Sequence, residues 1–376
     1  MFERNPTHIL NDREIMSAIE SGLIMMDNKE HYLNDKFIQP ASQDVLLEDI
    51  DSECFLSSRI ASDNESIRYT PHSEFGKDFV TFWSGYVTDV TIKDLKGFNP
   101  EYIVPMVELR SSLRRLGLCT RWSGLPFVDD RFTISILNGR KFPIIVEKES
   151  KISQLLWNDF FMTREKNGFG YIPHNKKISS GVEVTDNKTL ERLIESGDID
   201  IMPKVECYNG KLFFHASTTQ TSYKNQADTP IVLYKDKRTE GLVKHVLETK
   251  HHKIMPGDFV DIQTVESIKL SDRVGMHVFY YAAIGDFEEK HVALSKSFVD
   301  RAITFSNTGG WIDPGYEGIF SVQRNSYTEP LEIKEGQRVA YATVYFFPDG
   351  VGSSYGRHRG SHYQNQDKFQ SLQIEH

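Results

Sequence analysis

The chain has few cysteines and no long apolar segment. Its three cysteines, Cys54, Cys119 and Cys207, stand far apart, so the sequence offers neither a disulfide framework nor a Cys-x-x-Cys zinc motif. An odd, sparse set of cysteines is typical of a reducing compartment. No stretch approaches the roughly 18 consecutive apolar residues of a membrane span, and residues 1–6 lack the apolar core of a signal peptide. We therefore expect a cytoplasmic protein without a membrane partner.

The chain also lacks an excess of positive charge. Its formal net charge is −9, which argues against non-specific nucleic-acid binding. A nucleotide-sized anion would need a local basic cluster, and residues 108–118 supply one, with three arginines and two adjacent serines in eleven positions. Guanidinium groups donate bidentately to phosphate oxygens, and serine hydroxyls and turn N–H groups can hold the same anion. The alternative is an amphipathic helical turn with its leucines inside and its arginines in water.

The length of 376 residues suggests two domains. Asn11 followed by Glu14 is a capping-box pattern, and it predicts a short helix that ends at Gly22. The same pattern of apolar residues and a final Ile-Glu-Ser-Gly recurs before Gly197. The offset between the two tetrapeptides is 175 positions (194 − 19), close to half of the chain. This repeat predicts an internal duplication in which each half begins on a helix.

Most of the remaining sequence favours short strands, rich in Val, Ile, Phe, Tyr and Thr and separated by Gly, Pro, Asn and Asp. The clearest are predicted at 79–90, 133–137, 144–146, 259–265, 319–322 and 339–347. The predicted fold class is therefore mainly β with short helices, arranged as a sandwich or barrel in each half. Gly, Pro, Asn, Lys and Ser cluster at 167–182, where we expect the junction between the halves.

Three motifs carry a resemblance to a known family. The string at 110–118 resembles the Arg-Ser-Ser-Leu-x-Arg-Leu-Gly-Leu signature of the trimeric dCTP deaminase and dUTPase superfamily. Residues 38–44 are similar to the Ile-Gln-Pro-Ala-Ser-x-Asp motif of dCTP deaminases, and residues 310–318 resemble the family's Ile-Asp-Pro-Gly-x-x-Gly hairpin. Taken as a whole, the chain looks most like the long, duplicated dCTP deaminase type. The resemblance implies two tandem dUTPase-like domains, each a β-clip or distorted barrel, at 1–170 and 175–376.

The resemblance also implies roles for individual residues. Arg110, Ser111 and Ser112 would hold phosphates, and Arg115 would position the base and the attacking water. Asp313 in the hairpin could accept from a deoxyribose 3′-hydroxyl. In the tail, Tyr355, His362 and Gln366 match the spacing of a family Tyr, Lys and Gln that close over the triphosphate. His362 replaces that Lys, and its partial protonation near neutrality would make phosphate affinity depend on pH.

The two halves have complementary losses. The first keeps the Arg-Ser-Ser clamp (residues 110–118) but lacks the Asp-Pro-Gly hairpin, whereas the second keeps the hairpin and the tail and retains only Lys296, Ser297 and Arg301 where a clamp would follow. In the single-domain relatives each site draws motifs from different subunits. We therefore expect composite sites where a first half meets a second half, within one chain or between chains of a homo-oligomer.

One position departs from the family pattern. Gln323 aligns with the glutamate that carries protons in the deaminases, and an amide cannot ionise to do so. Glu317 is the nearest carboxylate in the hairpin that could substitute, followed by Asp313. The expected activity is hydrolytic deamination of dCTP to dUTP, without zinc and with Mg2+ carried on the triphosphate. Two alternatives stay open: pyrophosphate hydrolysis of a deoxynucleotide with Asp313 as base, and a catalytically inactive nucleotide-binding or regulatory protein.

Overall fold

A computed structural model describes residues 8–34, 36–56, 76–99, 102–120, 127–128, 131–159, 161–165, 168–172, 181–226, 229–236, 238–255, 257–280, 308–325 and 330–356. The first half contains three short helices and fifteen strands in this part of the chain. They are β1 (His8–Ile9), α1 (Asp12–Glu20), β2 (Ile24–Met26), α2 (Lys29–Tyr32), β3 (Ile38–Gln39), β4 (Ser42–Leu56), β5 (Phe79–Phe82), β6 (Tyr86–Ile92), β7 (Leu95–Phe98), β8 (Ile103–Leu109), α3 (Ser111–Leu116), β9 (Leu118–Thr120), β10 (Phe127–Val128), β11 (Arg131–Asn138), β12 (Ile144–Glu147), β13 (Lys151–Asp159), β14 (Phe161–Glu165) and β15 (Gly168–Ile172).

The second half begins on a strand and a helix and is otherwise built of strands in its described part. Its elements are β16 (Gly181–Glu183), α4 (Asn187–Glu195), β17 (Ile199–Met202), β18 (Cys207–Tyr208), β19 (Lys211–Asn225), β20 (Ile231–Leu233), β21 (Thr239–Glu240), β22 (Leu242–Glu248), β23 (His251–Ile254), β24 (Phe259–Leu270), β25 (Val274–Tyr280), β26 (Thr308–Ile312), β27 (Glu317–Asn325), β28 (Leu331–Lys334) and β29 (Arg338–Phe346). The mainly β fold class with short helices is confirmed.

The predicted helices are also confirmed. Asn11 caps α1 through a full capping box, in which its side chain accepts from the Glu14 N–H at 3.0 Å while the Glu14 carboxylate accepts from the Asn11 N–H at 2.8 Å. Gly22 and Gly197 follow the two helices in the left-handed region, with φ of +79° each. One predicted strand was wrong: residues 79–90 form two strands, β5 and β6, because Gly85 turns the chain at φ +75°.

Both halves repeat one pattern of strand pairing, which confirms the duplication. In the first half β4 pairs with β6 and β13, β6 pairs with β11, and β13 pairs with β8. In the second half β19 pairs with β24 and β29, β24 pairs with β27, and β29 pairs with β25. The smaller pairs β5–β12 and β23–β28 correspond in the same way.

The two patterns share a register. The β3–β4 hairpin pairs Ile38 with Gln43, and its counterpart pairs Cys207 with Leu212, a shift of 169 positions (207 − 38). The same shift carries Ser52 onto Thr221. Ser52 pairs with Asp89 on β6, and Thr221 pairs with Asp261 on β24. Asp89 and Asp261 therefore occupy equivalent positions of the two halves.

The hydrophobic cores do not divide cleanly at the predicted boundary, which remains a prediction. Each half has a large buried cluster, but the cluster of the first half also includes Tyr223, Ile231, Leu233 and Leu242. Strand β20 crosses over to pair in parallel with β12. A third cluster joins the halves and contains Ile9, Ala41, Leu156, Trp311, Tyr345, Phe347 and Val351. The halves therefore share core as well as sheet.

Candidate functional site

The Arg-Ser-Ser clamp follows β8 directly and forms the short helix α3 and the start of β9. Gly117 ends α3 in the left-handed conformation at φ +103°, which a residue with a Cβ rarely adopts. Leu113 and Leu116 are buried, as the amphipathic alternative requires. Arg115 is buried too, with 5% of its surface exposed, so this arginine is not a solvated face residue. A buried cation needs a partner.

At the N-terminal end of the clamp, Arg110 is held by the motif at 38–44. The Arg110 guanidinium (Nη1) lies 2.6 Å from Oδ1 of Asp44, whose side chain is fully buried. Lys151 contacts the other carboxylate oxygen, Oδ2, at 2.9 Å. Two cations around one carboxylate leave one net positive charge, on two side chains that stay 27% and 33% exposed. The polar residues of the first-strand motif thus support the clamp.

At the other end of the clamp, Arg115 reaches the second half. Its Nε donates to Oδ2 of Asp261 at 2.6 Å, and both side chains are buried. The Tyr223 hydroxyl donates to the same oxygen at 2.9 Å. Lys244 lies beside this group on β22, opposite Tyr223 in the sheet. We call Arg115, Asp261, Tyr223 and Lys244 the junction cluster.

Burial lowers the pKa of Lys244, and the positive charge of Arg115 lowers it further, whereas the Asp261 carboxylate acts in the opposite direction. The junction cluster therefore places two cations and one carboxylate in a largely buried setting between the halves. Such a setting strengthens each electrostatic interaction and makes an unpaired charge costly.

Strand β27 also contacts the clamp. The Gln323 side-chain amide donates a hydrogen bond to the Arg114 carbonyl oxygen. Gln323 pairs across the sheet with Asp261, so these two contacts with the clamp come from neighbouring positions of β24 and β27. The Arg114 guanidinium packs over Gly310, where an added Cβ would come within 2.3 Å of Nη2. Gly310 begins the hairpin segment that contains Asp313.

Two further buried groups tie the clamp to the second half. Arg140 donates to the carbonyl oxygens of Leu116, Arg115 (3.0 Å) and Tyr223 (2.9 Å), and its guanidinium lies 4.7 Å from the centre of the Phe259 ring. Burial lowers the pKa of Arg140 to about 10. A buried carboxylate–imidazole contact joins Glu108 on β8, just before the clamp, to Nε2 of His277 on β25.

The Asp-Pro-Gly hairpin holds Asp313 in a buried turn. Its carboxylate accepts from the Trp311 indole N–H at 2.9 Å, and Trp311 belongs to the cluster that joins the halves. The tail crosses this turn, because the Tyr355 N–H donates to the Pro314 carbonyl at 2.8 Å and its ring lies 5.7 Å from that of Tyr316.

The tail is also tied to the first half. The N–H groups of Gly352 and Ser353 donate to the Asp12 carboxylate at 2.7 and 2.8 Å. Tyr355 thus lies against the hairpin, and its predicted role over the triphosphate stays a prediction. His362 and Gln366, which were predicted to close over a triphosphate, lie outside the described residues.

The structure does not bring Glu317 to the clamp. Glu317 forms an exposed ion pair with Lys269, with 3.2 Å between the carboxylate and the ammonium group. It lies six positions before Gln323 on the same strand, a separation of about 20 Å at ~3.3 Å per residue. Strand β27 thus holds Glu317 away from the clamp, and its role as a substitute proton carrier stays a prediction.

Sequence reasoning missed the partners that complete this region, namely Asp261, Tyr223, Lys244, Arg140, Glu108 and His277. One signal was available for Asp261, which interrupts the apolar run Phe259-Val260-Asp261-Ile262. A charged residue at an inward position of a buried strand needs a partner, although the sequence does not say which.

No group of three or more His, Cys, Asp or Glu side chains in the described ranges could hold a metal ion. Among the helices that the structure describes, none is long and apolar enough to cross a membrane.

Comparisons with known proteins agree with the motifs. No family model matches the chain. A dCTP deaminase from Haloarcula marismortui is 31% identical over 121 residues, which cover 32% of this chain and 55% of that protein. A dUMP-forming dCTP deaminase from Methanosphaera stadtmanae is 28% identical over 201 residues, which cover 50% of this chain and 98% of that protein. The chain thus spans little more than half the length of the first of these relatives.

A solved structure, the 2′-deoxycytidine 5′-triphosphate deaminase from Agrobacterium tumefaciens, shares the fold over nearly the whole chain. The superposition covers 92% of this chain and 99% of that one, with a TM-score of 0.61 and 16% sequence identity. At that identity the likeness concerns the fold alone. The chain is therefore similar in sequence to dCTP deaminases and similar in fold to one of them.

Proposed function

We propose that this protein is a dCTP deaminase-like hydrolase that converts dCTP and water to dUTP and ammonia without zinc. The reaction would take place at a composite site within one chain, where the clamp of the first half meets β24, β27 and the hairpin of the second. The observation that carries the proposal is the docking of α3 on these strands through Arg115–Asp261 and Gln323–Arg114. The clamp, which the second half lacks, would thereby be combined with the hairpin, which the first half lacks.

The triphosphate would bind at the N-terminal end of the clamp. Arg110, Ser111 and Ser112 are all partly exposed there, and the Asp44–Lys151 pair holds Arg110 with one net positive charge nearby. Guanidinium and hydroxyl donors fit phosphate oxygens. Mg2+ would arrive on the nucleotide, bound between its phosphates, and would offset part of their charge.

The pyrimidine and sugar would lie between the other end of the clamp and the second half. Asp313 is buried beside Trp311 and offers a carboxylate to a sugar hydroxyl. Arg115 and Gln323 flank the position where the base would sit, and Tyr355 crosses the hairpin turn. His362 and Gln366 would complete the phosphate site from the tail. This assignment of residues rests on the family motifs and on the neighbours that the fold gives them.

Two observations favour a second candidate, the release of pyrophosphate from a deoxynucleotide. Relatives from Methanosphaera stadtmanae and Dictyoglomus thermophilum carry the description dUMP-forming, and forming dUMP from dCTP requires that step. Gln323 also removes the ionisable group expected of a deaminase at that position. Asp313 would be the base for this second reaction. A catalytically inactive nucleotide-binding protein is the third reading of the same substitution.

Product analysis separates the three candidates. The full chain is incubated with each deoxynucleoside triphosphate and Mg2+, and nucleotides are resolved by ion-exchange chromatography while ammonia is measured in parallel. We expect dUTP and ammonia in equal amounts from dCTP alone. A monophosphate without ammonia would favour the second candidate, and binding without turnover the third. Activity should persist when 1,10-phenanthroline is added with Mg2+ in excess, because no zinc is required.

A matched pair of arginine variants tests the clamp. Arg110→Ala should weaken dUTP binding by at least a hundredfold in calorimetry, since it removes a charge-assisted pair with phosphate. Arg238→Ala removes an exposed arginine that pairs with Glu240, and it should leave the affinity unchanged. Equal affinities of the two variants would contradict the clamp. A homo-oligomer and a cytoplasmic location remain predictions from the sequence.

A further inference from the structure

The position that lacks the family glutamate has a carboxylate directly beside it. Asp261 on β24 is the cross-strand partner of Gln323 on β27. Directly paired residues of antiparallel strands project from the same face of the sheet, with Cβ atoms about 4.5–5.5 Å apart. The Asp261 carboxylate therefore lies within one side-chain length of the place that a glutamate at position 323 would occupy.

Among the residues that the structure describes, the hydrogen bonds to the Asp261 carboxylate share one oxygen. Arg115 and Tyr223 both donate to Oδ2, at 2.6 and 2.9 Å. Within the described part of the chain, Oδ1 accepts no hydrogen bond. The carboxylate is held in one orientation by two donors from the same side, and its second oxygen remains available to a water molecule or a base.

The neighbours of Asp261 are those that the proposed site requires. Arg115 belongs to the clamp, and Gln323, which is partly exposed, contacts the clamp backbone at Arg114. Lys244 adds a second cationic side chain to the junction cluster. If Asp261 only joined the two halves, it would need its bond to Arg115 but not the neighbouring Gln323, which also contacts the clamp.

The first half provides an internal comparison. Asp89 occupies the equivalent strand position and pairs across the sheet with Ser135, as Asp261 pairs with Gln323. Ser135 donates from its hydroxyl to Asp89 Oδ1 at 2.5 Å, so the corresponding carboxylate oxygen is engaged there. An aspartate at this position is thus part of the duplicated framework, and the copy at 261 faces a clamp arginine.

We propose that Asp261 is the carboxylate that moves protons in the reaction, in place of the glutamate that position 323 lacks. This inference rests on the proposed deaminase function.

A water proton passes to Oδ1 of Asp261 as the water oxygen bonds to C4 of the cytosine. That proton then passes to ring N3. The second water proton passes through the same oxygen to the exocyclic nitrogen. The C4–N4 bond then breaks, ammonia leaves with its electron pair, and the C4 carbonyl of uracil forms. Water supplies both protons, so atoms and charge balance.

The test compares the two equivalent aspartates. Asp261→Asn should lower kcat for dCTP deamination at least a hundredfold, the range that general acid–base groups contribute. Asp89→Asn removes the matched carboxylate of the first half and should leave kcat within threefold of the parent protein. The double variant Asp261→Asn with Gln323→Glu restores a carboxylate on the neighbouring strand, and it should regain at least tenfold over Asp261→Asn. A structural role for Asp261 does not predict this rescue.

Each result decides the proposal. Asp261→Asn with kcat within tenfold of the parent, or a folded double variant without recovery, overturns the role of Asp261 and leaves the deaminase function standing. A parent protein that releases no ammonia from dCTP overturns both.

If Asp261→Asn does not fold, the pH profile of kcat replaces it. Gln323→Glu should then displace the acid limb, because a second carboxylate at about 5 Å raises one of the two pKa values. An unmoved acid limb overturns the proposal.

Discussion

The strand pairs β6–β11 and β24–β27 are two versions of one structure, and they differ in what packs against them. Both place an aspartate opposite a polar residue in the same register. In the first half, the Ser135 hydroxyl donates a hydrogen bond to Asp89. In the second half, Asp261 meets an arginine and a tyrosine, and the arginine comes from the other half of the chain. The candidate site therefore lies where the other half of the chain covers the duplicated framework.

The largest expected effect on stability is the loss of the arginine that pairs with Asp261, compared with the loss of the serine that bonds to Asp89. Arg115→Met leaves the Asp261 carboxylate buried without its cation, which should lower the free energy of unfolding by roughly 3–5 kcal/mol. Ser135→Ala removes one hydrogen bond from Asp89 and should cost about 1 kcal/mol. Urea unfolding of both variants measures the difference. Equal losses of unfolding free energy would mean that Asp89 and Asp261 have equivalent surroundings, which contradicts the difference between the two strand pairs.

A double-mutant cycle tests whether the halves share one site. Arg115→Ala and Asp313→Ala should each weaken dUTP binding, and their effects should differ from additivity by about 0.5–3 kcal/mol if both residues contact one ligand. The cycle of Asp313→Ala with Arg238→Ala, a distant surface arginine, should be additive within about 0.5 kcal/mol. Additivity in both cycles, measured by calorimetry, would separate the clamp from the hairpin.

The halves should also differ in their response to acid. His252 on β23 is fully buried. Its counterpart in the first half is Val80 on β5. The two positions correspond because His252 pairs with Ile333 on β28 and Val80 pairs with Val146 on β12. Burial lowers the pKa of His252 from the ordinary value of 6.5, although its hydrogen bond to the Ser217 carbonyl opposes this shift. Below about pH 6.5 the unfolded chain binds a proton that the folded one does not, so stability falls as the pH decreases.

His252→Gln should therefore flatten the pH dependence of the unfolding free energy below pH 6.5, by up to about 1.4 kcal/mol per pH unit. The variant keeps a donor for the Ser217 carbonyl. His251→Gln changes the exposed neighbour and serves as the matched control. Urea unfolding at several pH values makes the measurement, and parallel curves for the parent and His252→Gln would show that His252 does not produce the dependence.

The smallest effect is expected at Glu317. Its pair with Lys269 is exposed, so Glu317→Gln should change the unfolding free energy by about 0–1 kcal/mol. Turnover of dCTP should stay within twofold, because β27 holds this residue far from the clamp. A hundredfold loss of kcat, measured by ammonia release, would return Glu317 to the role that its position in the hairpin motif suggested, and it would remove the need for Asp261.

Several features could be predicted from the sequence because they depend on neighbours along the chain. The capping box at Asn11 and Glu14 is a contact between residues three positions apart. Strand-forming composition and turn residues give the fold class, and the repeated helix ending before Gly22 and Gly197 indicates the duplication. The nine-residue string at 110–118 is specific enough to indicate the superfamily. Each of these signals lies within a few positions of the sequence.

The contacts that complete the candidate site were decided only by the tertiary structure. Arg115 and Asp261 are 146 positions apart, and Glu108 and His277 are 169 apart. Strand composition does not specify which strands pair, and a charged residue in an apolar run does not name its partner. Register then sets which side chains share a face, because a shift of one residue turns each side chain to the other side of the sheet. For that reason the sequence showed a glutamine where a carboxylate was expected, and only the pairing of β24 with β27 placed an aspartate beside it.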